Sequence, residues 1–258
     1  MSVASDGSVY VADTWNHRIQ KFTSAGMFVS KWGTNGTGDG EMSSPKGVAV
    51  APDGSVYVTD WSNDRIQKFT SSGVFVSKWG TGGTGDGQFN QPAGVGVAAD
   101  GSVYVADRNN SRIQKFTSEG EFVSKWGTGD GQFNYPTGVA VAPDGGVYVT
   151  DASNHRIRMF TPAGVFVRQW GTWGSGEGEF VDPWGIAVAS DGSVYVTDYG
   201  NARIQKFTSQ GVFVSQWGTN GSEEGEFVNP WGVAVASDGS VYVVDSGNSR
   251  IQKFSVGQ

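Results

Sequence analysis

The feature that most limits what this chain can become is a seven-residue phrase spelled six times. NHRIQKF (16–22) is followed by NDRIQKF (63–69), NSRIQKF (110–116), NHRIRMF (154–160), NARIQKF (201–207) and NSRIQKF (248–254). An aspartate stands three residues before each copy, at Asp13, Asp60, Asp107, Asp151, Asp198 and Asp245, with spacings of 47, 47, 44, 47 and 47 residues. A fixed period in the forties marks a chain assembled from copies of one supersecondary unit, blades of a propeller before anything else. Such a unit cannot cover both of its own faces, so its neighbours must.

The unit at 47–80, GVAVAPDGSVYVTDWSNDRIQKFTSSGVFVSKWG, parses into GVAVA, SVYVTD, DRIQKFT and VFVSKW, separated by PDG, WSN and SSG. Alternation with period two predicts four β-strands, and Asp-Gly and Ser-Gly tolerate the positive φ that tight hairpins require. Val56 and Val58 point one way and Tyr57 the other, so both faces of the four-stranded meander need cover, which radial stacking supplies. With 40 Gly, 15 Phe, 10 Trp and no Leu, the chain lacks the main ingredient and the 3.6-residue pattern of a helical solenoid. The fold class expected is all-β.

Six Asp-x-x-Asn-x-Arg-Ile units, with aromatic strands ending in Trp-Gly and strands that open Pro-x-Gly, resemble the NHL repeat family across nearly the whole chain. That resemblance implies a six-bladed β-propeller of four-stranded antiparallel blades. We expect one domain over 1–258, with blades near 1–33, 47–80, 94–127, 138–171, 185–218 and 232–255. The ends fit a ring imperfectly: 3–7 aligns with 50–54 inside a first strand, and no VFVSKW run follows Phe254. By this reading there are 23 strands where six blades need 24, as in a chain trimmed or begun late, and the last blade lacks its outer strand. The third strand of blade six is then an open edge. The chain is expected as a monomer, or as a weak dimer through that edge, although Arg250 and Lys253 oppose pairing there.

Alternating strand direction sorts the turns onto two faces. The PDG, SDG and TSSG turns scarcely change between copies, whereas the Asp-to-Asn turns and the inter-blade loops diverge. In each Asp-to-Asn turn the Asn is expected in a left-handed conformation, with the Asp accepting backbone N–H bonds or pairing with the Arg five residues on. Trp15, His17, Trp61, Arg108, His155 and Tyr199 are large groups on these hairpin tips; they either form a binding patch or lean on a neighbouring loop. In the Pro-x-Gly openings x is Lys46, Ala93, Thr137, Trp184 or Trp231, placed at the mouth of the central channel. Lys46, Thr137, Trp184 and Trp231 are thus further ligand-contact candidates. Trp184 and Trp231 would either line an apolar half-funnel for a small ligand or peptide side chain, or plug the channel as packing.

The five inter-blade loops hold Asp39, Glu41, Asp86, Asp130, Glu177, Glu179, Asp182, Glu223, Glu224 and Glu226 and no Lys or Arg. Such a surface draws cations or basic partners, and equally serves solubility. The loops lack the D-x-D-x-D-G alternation of a calcium site, and their G-x-G runs precede no helix that could cradle a phosphate. A net charge of −7 argues against nucleic acid, and the absence of a long apolar run or a leader pattern argues against a membrane. Without cysteine the chain has no disulfide or thiolate metal site, and the compartment stays open. Proteins similar to NHL propellers include a peptidylglycine-type lyase, lactonases and esterases with a metal over the channel. Here the two histidines fall in blades one and four, opposite each other and on the order of 20 Å apart by strand spacing. No shared metal and no cofactor are expected, and nothing selects one serine as a nucleophile. The function expected is a non-catalytic scaffold presenting an acidic, aromatic-dotted face to a peptide, protein or glycan. The alternatives are a metal-dependent hydrolase or lyase of the six-bladed type, and a recently duplicated, highly symmetric propeller with no binding role of its own.

Overall fold

The computed structural model of the chain describes residues 1–127 and 132–255. Asp130 and residues 256–258, which the strand count and the acidic surface drew on, lie outside it. In blade two the strands are Pro45–Val50, Val56–Asp60, Arg65–Phe69 and Phe75–Trp79, each hydrogen-bonded to its chain neighbour. Pairing is antiparallel, with Val58 opposite Gln67, Asp60 opposite Arg65 and Ile66 opposite Trp79. Blades one and three to five repeat this register, and blade six repeats its first two pairings, Val243 opposite Gln252 and Asp245 opposite Arg250. Among the described residues five sheets have four strands, and the sixth has three: Pro230–Val235, Ser240–Asp245 and Arg250–Ser255. The chain is an all-β, six-bladed propeller of antiparallel meanders whose last blade has three strands. No helix among the described residues is long and apolar enough to cross a membrane.

Two compact units divide the chain, Met1–Phe133 with blades one to three and Asn134–Gln258 with blades four to six. In each, the core lies in the seams between consecutive sheets. Tyr10, Ile19, Met42, Val48, Val58 and Phe69 fill the seam of blades one and two, and Tyr57, Ile66, Phe89, Val105 and Phe116 that of blades two and three. In the second unit Tyr148, Ile157, Phe180, Val196 and Phe207 do the same for blades four and five, and Tyr195, Ile204, Phe227 and Val243 for five and six. Each fully buried aromatic contributes about 1.5–3 kcal/mol. Trp79, ending a fourth strand, lies edge-on to Tyr57 of its own blade at 6.0 Å and tilted against Phe116 of the next at 5.9 Å. This wedge explains the glycine of the Ser-Ser-Gly turn. At Gly73 φ is +88°, and a Cβ there would stand 2.5 Å from the Trp32 ring.

The Asp-to-Asn turns correct one expectation. Each is a single 3-10 turn, and the left-handed residue is the one after the Asn: His17, Asp64, Ser111, His155, Ala202 and Ser249 all have φ between 52° and 55°. The Asn keeps ordinary backbone geometry because its side chain is in use. Asn63 Nδ2 donates to both Asp60 oxygens, at 3.0 and 2.9 Å.

Candidate functional site

The hairpin aspartate gathers its blade around one carboxylate. Asp60, 0% exposed, accepts from Ser43 N at 2.7 Å, Asn63 Nδ2, Arg65 Nε at 2.7 Å and Gln67 Nε2 at 3.2 Å. The aspartate thus does both things expected of it, accepting a backbone N–H and pairing with the Arg five residues on. Burial pushes the equivalent Asp107 and Asp198 carboxyls above the usual range, against the pull of the same donors.

Held this way, the Asn-x-Arg-x-Gln side chains clamp the loop arriving from the previous blade. Asn63 Nδ2 donates to Gly36 O (2.9 Å), Arg65 Nη1 to Thr37 O (2.7 Å), and Arg65 Nη2 to Gly38 O and Glu41 O (both 2.8 Å). Gln67 Nε2 donates to Glu41 O at 2.6 Å while its Oε1 accepts from Gly40 N at 3.0 Å. Asn110, Arg112 and Gln114 hold residues 83–88 identically, and Asn201, Arg203 and Gln205 hold 174–179. Asn248, Arg250 and Gln252 hold 221–226. An aspartate of the bound loop then meets a fourth-strand lysine: Asp39 pairs with Lys78 at 2.6 Å and Asp86 with Lys125 at 2.5 Å.

Much of the expected acidic surface is therefore committed internally. Besides these pairs, Glu41, Glu179 and Glu226 accept from Gly38 N, Gly176 N and Glu223 N within their own loops. Among the described residues no three of His, Asp and Glu gather in a way that could hold a metal ion.

The candidate contact residues sort into two groups. In the first unit Trp15, 80% exposed, and Trp61 flank Lys46, whose Nζ lies 5.3 and 5.2 Å from their ring centres. The Arg108 guanidinium stands over Trp61 at 5.5 Å. Trp15, Lys46, Trp61 and Arg108 form one cation–aromatic row across three blades. In the second unit the Trp184 and Trp231 rings pack with centres 4.3 Å apart and planes tilted by 51°, and Tyr199 packs 6.1 Å from each. Pro-x-Gly is explained here, since a Cβ on Gly185 would lie 2.8 Å from Trp231 O.

The remaining candidates have internal duties. Thr137 is 1% exposed, sharing a hydroxyl bond with Thr150 at 2.8 Å and donating to Trp184 O at 3.0 Å. His17 Nδ1 accepts from Ser44 N at 3.0 Å and His155 Nδ1 from Asp182 N at 3.1 Å, the role Asp64 plays toward Gln91 N at 2.7 Å.

Sequence reasoning missed a groove of about 690 Å³ on blade one, lined by Trp15, Asn16, His17, Arg18, Lys31 and Trp32 with residues 33–35. No local string marks it, since Asn16, Arg18 and Lys31 belong to phrases that recur in other blades.

Repeated meanders, each built on an Asp-x-x-Asn-x-Arg-Ile turn that in blades two, three, five and six clamps the loop of the preceding blade, define this protein as a propeller of tandem β-repeats. The profile of the NHL repeat matches residues 1–22, 42–69, 89–116, 133–160, 180–207 and 227–254, and the chain belongs to that family. No curated protein matches it. Among solved structures it is similar to a streptogramin B lyase at 16% identity, with 100% of this chain and 82% of that one covered and a TM-score of 0.70. Virginiamycin B lyase from Staphylococcus aureus is similar at 17% identity, 97% and 78% coverage and a TM-score of 0.67. The hydrazine synthase of Kuenenia stuttgartiensis is similar at 13% identity, 99% and 94% coverage and a TM-score of 0.68. At these identities the likeness is one of fold.

Proposed function

We propose that the chain is a non-catalytic binding module that presents its divergent turns to a peptide, protein or glycan. The observation that carries this reading is the row in the first unit. An indole 80% exposed, beside a lysine and an arginine held on aromatic faces, adds little to the core. Exposed Trp with cationic neighbours is the composition of binding hot spots. A lyase reading has the shared fold behind it, and among the described residues no cluster of His, Asp and Glu that could hold a metal supports it.

The test is to probe peptide and glycan arrays with the whole chain and with Trp15→Ala and Trp61→Ala. Binders of the wild type are expected to lose at least about tenfold in affinity to either variant, the cost of one hot-spot contact of about 1.4 kcal/mol or more, with thermal midpoints unchanged for Trp15→Ala. Arrays that read the same for all three proteins would remove the row from consideration. Turnover of a streptogramin B substrate would overturn the non-catalytic reading itself.

A further inference from the structure

The side chains that meet in the row of the first unit are ones the repeat itself does not ask for. At the Trp15 position the other turns carry Ser62, Asn109, Ser153, Gly200 and Gly247, and at the Arg108 position Thr14, Ala152 and Ser246 serve. Lys46 is the one charged residue among the five Pro-x-Gly openings. Small side chains complete the same turns elsewhere, so these groups are set on the blades rather than required by them. The two cations share a ring: Lys46 Nζ lies 5.2 Å and the Arg108 guanidinium 5.5 Å from the centre of Trp61, and Lys46 Nζ lies 5.3 Å from that of Trp15. By contrast Lys78 and Lys125 meet the carboxylates of Asp39 and Asp86. A ring face draws a cation through its quadrupole and takes none of its N–H bonds. Gathering two like charges on one half-buried indole costs the fold, and the Arg108 charge adds to the burial that lowers the Lys46 pKa. An anion beside both cations returns that cost and accepts charge-assisted hydrogen bonds from them.

We propose that the row receives a sugar acid, a single uronic-acid unit of an otherwise neutral glycan, with its carboxylate at Lys46 and Arg108 and its ring against the exposed indole of Trp15. The inference rests on the binding reading above and names the ligand class for the same site. A hexuronic acid carries C–H bonds on the faces of its ring and its charge on the rim. That is the complement of a flat indole, 80% exposed, set beside an ammonium group. An acidic peptide side chain places its charge at the end of a flexible arm and brings no flat apolar body to Trp15. A polyanion is opposed at long range by a chain of net charge −7, whereas one carboxylate is recognised at contact distance, where two fixed cations outweigh the distant field.

Methyl β-D-glucuronide and its neutral counterpart methyl β-D-glucoside are titrated into the whole chain at low salt, followed by tryptophan fluorescence and calorimetry. The acid is expected to bind with a dissociation constant on the order of 10⁻³ M, as suits one small sugar, and the neutral sugar about tenfold more weakly. Trp15→Ala is expected to weaken the acid about tenfold by removing the platform. Lys46→Met is expected to bring the two sugars to the same affinity. Arg108→Gln, expected to narrow the preference about threefold, keeps the test decisive if the circular dichroism of Lys46→Met is not native. Equal binding of the two sugars by the wild type, or a preference that survives both charge-removing substitutions, overturns the proposal. So does the blocked peptide Gly-Glu-Gly binding as tightly as the glucuronide, since the row would then read an acidic peptide. Array binders that depend on Trp15 and Trp61, with no response to the glucuronide, overturn the ligand class and leave the row as a site. Arrays indifferent to both substitutions overturn the row itself, so the two failures are distinguishable.

Discussion

Lys46 shows what a single residue must tolerate at this surface. Burial, helped by the Arg108 charge, pushes its pKa from 10.5 down to about 8. The unfolded chain keeps that proton up to its ordinary value while the folded chain releases it near 8, so the ionised lysine costs stability at neutral pH. That cost shrinks as pH climbs from about 8 to 10.5. The two indole faces return part of it, on the order of 1–2 kcal/mol. Lys46→Met is therefore expected to stabilise the chain by about 1 kcal/mol at neutral pH and to lose that advantage above pH 10.5. Urea unfolding across the range checks this. A gain independent of pH would mean that Lys46 titrates normally. Its place in the opening Pro-x-Gly was legible in the sequence; the paired indoles were not, because they come from two other hairpins.

At the scale of the element, the hairpin node stands or falls on its aspartate. Asp60 is fully buried and holds a loop N–H along with three side chains, whereas Asp13, 20% exposed, holds three side chains only. Replacing Asp60 by Asn leaves Arg65 buried without its countercharge. That substitution is expected to cost about 3–5 kcal/mol, against about 1 kcal/mol for Asp13→Asn at the more open node. Chemical denaturation of the two variants compares them, and equal losses would refute the view that the clamped loop completes the node. Pairing of Asp with the Arg five residues on could be read from the sequence, because antiparallel pairing across a short turn puts those positions face to face. The Asn was misread. Its side chain bonds the Asp and a distant carbonyl, and the left-handed strain passes to the next residue, whatever its identity.

For the whole molecule, stability resides between blades more than within them. Trp79 fills the seam of blades two and three against Tyr57 and Phe116, and its indole nitrogen is buried there without a hydrogen bond. Trp79→Ala is expected to cost about 3–5 kcal/mol, appearing in a denaturation curve as an earlier midpoint. Hydrogen exchange should quicken in both adjoining blades together, since repeat proteins gain stability from nearest-neighbour interfaces. Faster exchange confined to blade two would place the stabilisation inside the sheet instead.

Strand order, blade number and the tight turns were determined by the sequence alone, because alternation, Asp-Gly hairpins and a period in the forties act over a few residues and every copy repeats them. Only the tertiary structure decided which copies of one string differ in environment. Arg18 and Arg65 belong to the same seven-residue phrase, yet one guanidinium lies along a groove and the other grips three carbonyls. Trp184 and Trp231 likewise pack against each other, and Thr137 disappears into a strand pair. The physical reason is common to all three: the partner that settles each side chain arrives from more than ten residues away, and nothing within the local string records whether it comes.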